Sequence, residues 1–294
     1  MTSVQLTKIK EYDIVMTPLK IVLLYTSGHI GSAITLNRLV HSKEYQIIGI
    51  IKTPLVSLSF RGKKSIVSQM KKMGWQFGWV LIWQKAWHFV MRLLSGLIPF
   101  KRHLLWPSIK IATKLKIPIL SLKSINNPES TCFIKDLGPD LLISAYLNQI
   151  IKEPLLSSPK IGILNVHPGW LPAYRGVMAY FWVLKNGEDE AGVTIHWIDH
   201  GIDTGNILMR KKFKIHDGMT QFDVLVKSAI VGVHLLRSIG KKIINDDPLP
   251  HIKTIEAHTD YYSFPCETAF NHYFKKHNFF NIRSILNLFM KQKL

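Results

Sequence analysis

The alternation of apolar runs of strand length with helical segments is the feature that most constrains the fold of this chain. The runs are KIVLLY, YQIIGII, IPILSL, PDLLISAY and IGILNVH, and segments with helical spacing of apolar residues separate most of them. Strands that alternate with helices form a parallel sheet with right-handed crossovers. The sequence therefore predicts an α/β fold with a mostly parallel sheet.

The pattern also suggests where the main domain ends. Two more predicted strands, AGVTIHWID and NILMRKKFKI, are followed by a long amphipathic helix over residues 220–243. Beyond residue 245 the periodicity weakens, and the segment becomes aromatic and mildly basic. We therefore divide the chain into a main domain, residues 1–245, and a short C-terminal extension, residues 246–294.

The segment NVHPGWLPAYRG, residues 165–176, places two polar side chains at the end of a buried strand. Asn165 and His167 are one residue apart, so an extended chain points both to the same side. Pro168 then removes a backbone donor and ends the pairing. Ligands of open α/β sheets bind where strands open into loops, which makes this pair a candidate site. The alternative is that both residues only cap the strand.

A second polar segment, GVTIHWIDHGIDTGNIL, covers residues 192–208. Asp199 ends the predicted strand and Asp203 lies in a glycine-containing loop, where a single carboxylate is commonly a turn-forming residue. A metal site would have to combine separate ligands, and the candidates are His167, His196, Asp199 and His200. His196 and His200 would share a face only on a helix, whereas a strand is predicted here, so we expect no metal.

Taken together, these motifs resemble those of the folate-dependent formyltransferases. That family has Asn-x-His, then Leu-Pro-x-x-Arg-Gly, then a strand and a loop with Asp-x-Gly. This chain has Asn165 and His167, LPAYRG at 171–176 and IDTG at 202–205. Order, spacing and strand context agree over about residues 20–243, and Gly169 departs where the family commonly has Ser. The resemblance implies a doubly wound, Rossmann-like sheet with residues 54–102 as a helical, basic insert.

The resemblance implies transfer of a formyl group from 10-formyltetrahydrofolate to a primary amine. Such a transfer passes through a tetrahedral intermediate with a negative oxygen, which preorganised donors stabilise. Asn165 and a protonated His167 are the predicted donors. Asp203 is the predicted carboxylate that keeps the imidazole charged and relays protons through water. This chemistry requires no metal and no covalent nucleophile.

The resemblance also implies seven further residues that would bind the two substrates. The predicted folate-binding residues are Leu147, Ile150, Asp199 and Gly201. The predicted acceptor-binding residues are Gly28, Arg175 and Gly176. Gly28 stands in TSGHIGS, where the dinucleotide fingerprint G-x-G-x-x-G is missing. This turn before a helix either holds an anionic group of the substrate or is a plain tight turn.

The acceptor is predicted to be a small amine or an amino-sugar nucleotide. Relatives that act on methionyl-tRNA have a further barrel domain, and only about fifty residues follow Ile243. Formyltetrahydrofolate hydrolases have an N-terminal regulatory domain, and about nineteen residues precede the first predicted strand. Methionyl-tRNA formylation and a catalytically inactive folate-binding or regulatory protein are the alternatives.

Charge and the insert raise the question of an anionic partner. The formal net charge is +19, and the chain has fourteen Lys and Arg but no Asp or Glu between Tyr45 and Pro128. Such a field attracts phosphates, nucleic acid or an anionic membrane. In the insert, large side chains recur every four residues, at Trp75, Trp79, Trp83, Trp87 and Met91. On a helix they form a stripe that either lies on a membrane surface or packs on the core or a second subunit.

The expected location is the cytoplasm, with association at the cytoplasmic face of a membrane as a hypothesis. The N-terminus lacks the apolar core of a signal peptide. Cys132 and Cys266 have no metal or redox spacing, which is typical of reduced cytosolic thiols.

Overall fold

The structure is a computed structural model that describes residues 17–55, 106–252, 261–281, 283 and 284, together with seven single helical positions between 74 and 93. The stripe of Trp75, Trp79, Trp83, Trp87 and Met91 lies outside the described residues. The membrane-surface hypothesis therefore stays a hypothesis. Within the described part of the chain, no helix is long and apolar enough to span a membrane.

The described residues form strands and helices in the predicted alternation. The strands are β1 (Leu19–Ser27), β2 (Tyr45–Pro54), β3 (Ile119–Ser121), β4 (Leu141–Ala145), β5 (Gly162–His167), β6 (Arg175–Gly176), β7 (Glu190–Trp197), β8 (Ile207–Lys214) and β9 (Tyr261–Tyr262). The helices are α1 (Ile30–Leu39), α2 (Ser108–Leu115), α3 (Pro128–Leu137), α4 (Ala179–Lys185), α5 (Gln221–Ile244) and α6 (Glu267–Phe274).

Seven of these strands form one twisted sheet in the order β3-β2-β1-β4-β5-β7-β8. Strands β3, β2, β1, β4 and β5 are parallel, whereas β7 and β8 each run antiparallel to the preceding neighbour. The predicted doubly wound, mostly parallel α/β fold is therefore confirmed. Strands β6 and β9 form a separate parallel pair.

Alternate residues of the central strands supply two hydrophobic cores, one on each face of the sheet. In β1, Ile21 and Leu23 belong to the larger core, which includes buried residues of α1 and α5. Val22 and Leu24 point to the smaller core, which includes Ile134 of α3. This arrangement follows from the two-residue period of a strand whose two faces are both covered by helices.

The same period sends the polar residues of β5 to the face opposite α5. Leu164 and Val166 lie in the larger core with α5. Asn165 and His167 occupy the alternate positions and therefore point to the other face. His167 contacts the segment that follows β5, at Tyr174 O, and Asn165 contacts His196 of β7.

Part of the predicted C-terminal extension packs on the residues that precede it. Strand β9 pairs with β6, and the rings of Phe270 and Tyr273 in α6 contact Phe181 of α4. Phe270 and Tyr273 are fully buried. These two aromatic side chains are thus part of the protein core.

Candidate active site

The three predicted catalytic residues lie together. His167 is the last residue of β5, and its Nδ1 is 3.5 Å from Asp203 Oδ2. Asp203 lies in the loop between β7 and β8 with a φ of 53°. Asn165 joins the group through a fourth residue, His196. The structure therefore assembles the polar cluster from β5, β7 and the loop that follows β7.

His196 is the member of the cluster that sequence reasoning missed. It stands opposite Asn165 in the antiparallel register of β5 and β7. Its Nε2 is 3.1 Å from Asn165 Nδ2 and 3.5 Å from Asp203 Oδ1, and its Nδ1 is 2.7 Å from Trp197 O. The carbonyl only accepts, so Nδ1 has the proton and Nε2 accepts from the Asn165 amide. His196 therefore orients Asn165. From the sequence it was a candidate metal ligand only, and the register of β5 against β7 is what identifies it as a partner of Asn165.

Burial and mutual charge set the protonation of the cluster. Burial lowers the pKa of His167 below its ordinary value, although the Asp203 carboxylate acts in the opposite direction. For Asp203, burial alone would raise the pKa. The neighbouring His167 and the hydrogen bond from the Gly176 N–H outweigh it and hold the pKa of Asp203 well below the ordinary value. The site thus contains a buried carboxylate that stays ionised beside an imidazole whose pKa is lowered by burial and whose protonated form this carboxylate stabilises.

The backbone of the segment LPAYRG is hydrogen-bonded to both His167 and Asp203. His167 Nε2 donates to Tyr174 O at 2.8 Å, and the Gly176 N–H donates to Asp203 Oδ2 at 2.8 Å. The Arg175 guanidinium donates to Ile202 O at 3.1 and 2.8 Å. Arg175 and Gly176, which were predicted to bind the acceptor, therefore contact the Asp203 loop.

Gly169 lies against the His167 ring. A Cβ at this position would be 2.6 Å from His167 Nε2 and 3.0 Å from the Cβ of Ala179. A carbon that close to the ring nitrogen would force the ring to move. The residue that departs from the family pattern is therefore the one that makes room for this orientation of His167.

The predicted folate-binding residues divide into an apolar and a polar group. Leu147, just after β4, is partly buried against the smaller core, on the sheet face of Asn165 and His167. Ile150 is half exposed. Asp199 Oδ1 accepts hydrogen bonds from Gly201 N at 3.0 Å and Thr204 Oγ1 at 2.6 Å. Asp199 and Gly201 therefore shape the loop that positions Asp203.

The turn that contains Gly28 leads into a histidine cap. Gly28 has a φ of 84°, and His29 Nδ1 accepts a hydrogen bond from Gly31 N at 3.2 Å at the start of α1. The His29 ring stacks on Tyr146 with centroids 5.0 Å apart. Burial lowers the pKa of His29 to about 4, so this cap is neutral near pH 7. Because the imidazole accepts from the Gly31 N–H, this donor at the start of α1 is not available to an anion.

A doubly wound α/β sheet with an asparagine, a histidine and a carboxylate assembled beside β5 is the arrangement that the formyltransferase-like motifs predict. Residues 106–238 match the family model described as Formyl transferase. Over this region the chain is therefore similar to the formyltransferases.

Curated relatives agree with this assignment over part of their length. The chain is 36% identical over 149 residues to the methionyl-tRNA formyltransferase of Acetivibrio thermocellus, a match that covers 49% of this chain and 48% of that protein. The chain thus spans about half the length of the curated relatives it matches.

Solved structures share the fold at low sequence identity. Glycinamide ribonucleotide transformylase 1 from Symbiobacterium toebii has a TM-score of 0.54 and 15% identity, covering 78% of this chain and 89% of its own. The N-formyltransferase from Helicobacter canadensis, solved in complex with folinic acid and dTDP-3-aminofucose, has a TM-score of 0.50 and 19% identity, covering 84% and 71%.

Proposed function

We propose that this protein transfers a formyl group from 10-formyltetrahydrofolate to a primary amine, with Asn165, His167 and Asp203 as its catalytic residues. The observation that supports the proposal best is the contact of His167 with an ionised, buried Asp203 beside Asn165. The match of residues 106–238 to the formyltransferase family model supports the reaction class.

In the proposed mechanism, Asn165 and His167 stabilise the oxygen that becomes negative when the amine attacks the formyl carbon. One N–H of the Asn165 amide is donated to His196, which leaves the second for this oxygen. Negative charge next to His167 favours its protonated form, and the Asp203 carboxylate stabilises the resulting cation. A proton leaves the attacking amine and another reaches the departing folate nitrogen, and Asp203 assists both transfers.

The donor is proposed to lie along the apolar surface next to the polar cluster. Leu147 and Ile198 both border the smaller core, on the sheet face of Asn165. An apolar surface beside convergent polar groups suits a flat heteroaromatic ring such as a pterin. Ile150, Asp199 and Gly201 complete this proposed donor site.

The proposed acceptor is a small amine with anionic groups, such as an amino-sugar nucleotide. Phe270 and Tyr273 of the C-terminal extension are buried and therefore not available to stack on RNA bases. Methionyl-tRNA is the second candidate, because the match at 36% identity is to a methionyl-tRNA formyltransferase. Both candidates supply the primary amine that the proposed chemistry requires.

An acceptor panel tests the proposal. Purified protein is incubated with 10-formyltetrahydrofolate labelled in the formyl carbon and with amino-sugar nucleotides, small phosphorylated amines or methionyl-tRNA. We expect label in one acceptor class and release of tetrahydrofolate in equal amount. Binding of folate without transfer to any acceptor would instead support the inactive folate-binding protein.

A further inference from the structure

Strand β9 of the C-terminal extension lies against the segment that holds the candidate catalytic residues. Tyr261 and Tyr262 pair in parallel with Arg175 and Gly176, and Val177 N donates to Tyr262 O at 2.9 Å. A side chain at Gly176, where φ is 104°, would overlap Tyr262 O. The two segments therefore approach as closely as a glycine permits.

The side chain of Tyr262 also contacts three residues near the site, Tyr174, Trp182 and Asn186. Its ring stacks on Tyr174, with centroids 5.1 Å apart and planes 12° apart, and it lies 5.0 Å from the ring of Trp182. Asn186 donates to the hydroxyls of both Tyr262 and Tyr174, at 3.2 and 3.3 Å. Trp182 Nε1 donates to Ser263 O at 3.1 Å, which anchors the next residue of the same segment.

The backbone conformation of residues 174–178 is one that neighbouring groups must stabilise. Tyr174, Gly176 and Met178 all have left-handed φ values, of 59°, 104° and 56°. Residues other than glycine persist in this region only where neighbouring groups hold them. The Tyr174 hydroxyl, which donates to Glu188 at 2.5 Å, and the Tyr262 ring are the contacts that hold this tyrosine.

We propose that Tyr262 is a positioning residue of the active site, which fixes residues 174–176 and through them the His167 ring and the Asp203 carboxylate. Tyr174 O accepts from His167 Nε2, and Gly176 N donates to Asp203 Oδ2, so a shift of this segment moves both groups. The C-terminal extension thus completes the catalytic geometry. The kinetic part of this proposal rests on the formyl-transfer function proposed above.

The test compares two neighbouring tyrosines of β9. Tyr262→Ala removes the stacked ring, Tyr262→Phe retains the ring but loses the bond to Asn186, and Tyr261→Ala is the matched control because Tyr261 is 52% exposed. We expect Tyr262→Ala to lower kcat by about ten- to a hundredfold, because small misplacements of catalytic groups cost that much. KM for the folate donor, kcat of Tyr262→Phe and kcat of Tyr261→Ala should stay within about twofold of wild type.

A second readout is independent of turnover. The His167 ring resonances, assigned by their loss in His167→Gln, are followed by ¹H–¹³C NMR in each variant. We expect them to shift in Tyr262→Ala and to stay unchanged in Tyr261→Ala. Tyr262→Leu, which retains bulk without stacking, should shift them as well and replaces the alanine variant if that protein does not fold.

The outcomes separate the two proposals. A wild-type protein that transfers formyl to no acceptor, but whose His167 resonances shift in Tyr262→Ala, would overturn the proposed function and leave Tyr262 as a positioning residue. An active wild type, with Tyr262→Ala equal to Tyr261→Ala in both kcat and His167 resonances, would overturn the role of Tyr262.

Discussion

At the scale of single residues, the orientation of His167 depends on the absence of a side chain at Gly169. The ring nitrogen that donates to Tyr174 O is the atom that a Cβ at residue 169 would meet at 2.6 Å. The family pattern commonly has Ser at this position, so the glycine is a local feature of this site. Without a side chain at Gly169, the His167 ring lies between the Tyr174 carbonyl and the Asp203 carboxylate. Both groups are acceptors, so they suit a ring that gains a proton during the reaction.

Replacing Gly169 by alanine should therefore disturb catalysis rather than folding. Gly169 has no left-handed φ, so its backbone accommodates alanine, but the new Cβ displaces the His167 ring. We expect Gly169→Ala to lower kcat by about tenfold or more with little change in the melting temperature. Steady-state kinetics and thermal unfolding measure the two quantities. Wild-type kcat in this variant would show that the ring has no fixed orientation during turnover.

At the scale of elements, helix α1 begins with a histidine where capping residues are usually serine, threonine, aspartate or asparagine. The cap requires an unprotonated Nδ1, and burial lowers the pKa of His29 to about 4 from its ordinary 6.5. Between these values the unfolded chain binds more protons than the folded one. Stability due to this ring is therefore complete above about pH 6.5 and is lost as the pH falls toward 4.

The variant His29→Asn retains a capping oxygen but removes this titration. We expect the free energy of unfolding of the wild type to fall between pH 7 and pH 5 by about 2 kcal/mol more than that of His29→Asn. Denaturant unfolding at the two pH values measures the difference. The buried His167 titrates in both proteins, so it cancels in the comparison. Equal losses in the two proteins would contradict a neutral His29 cap.

The larger elements followed from the sequence because each is apolar over its whole length or has a clear helical period. The helix predicted at 220–243 is found at Gln221–Ile244 with a Thr220–Asp223 capping box. The Asn165, His167 and Asp203 cluster was predicted from motifs. The pairing of β6 with β9 was not predicted, because two-residue strands have no hydrophobic period and the two strands are far apart in sequence. His196 required the register of β5 against β7, which no local pattern specifies.

At the scale of the whole molecule, the formal net charge of +19 favours anionic substrates. Raising the ionic strength screens this attraction. We expect KM for a phosphate-bearing acceptor to rise by about tenfold between low and high salt, whereas KM for an uncharged amine acceptor should change little. Initial rates across a salt series at saturating folate donor measure both values. An equal salt dependence for the two acceptors would mean that the net charge has no part in acceptor binding.

The most direct test of the central claim is the rate of formyl transfer by Asp203→Asn compared with wild type on the acceptor that the panel identifies. Asp217→Asn, on an exposed loop, is the matched control. Because Asp203 is the ionised carboxylate beside His167, the account predicts that Asp203→Asn loses about a hundredfold or more in kcat. KM for the folate donor and the rate of Asp217→Asn should remain near wild type. Transfer by Asp203→Asn at the wild-type rate would contradict the assignment of the active site.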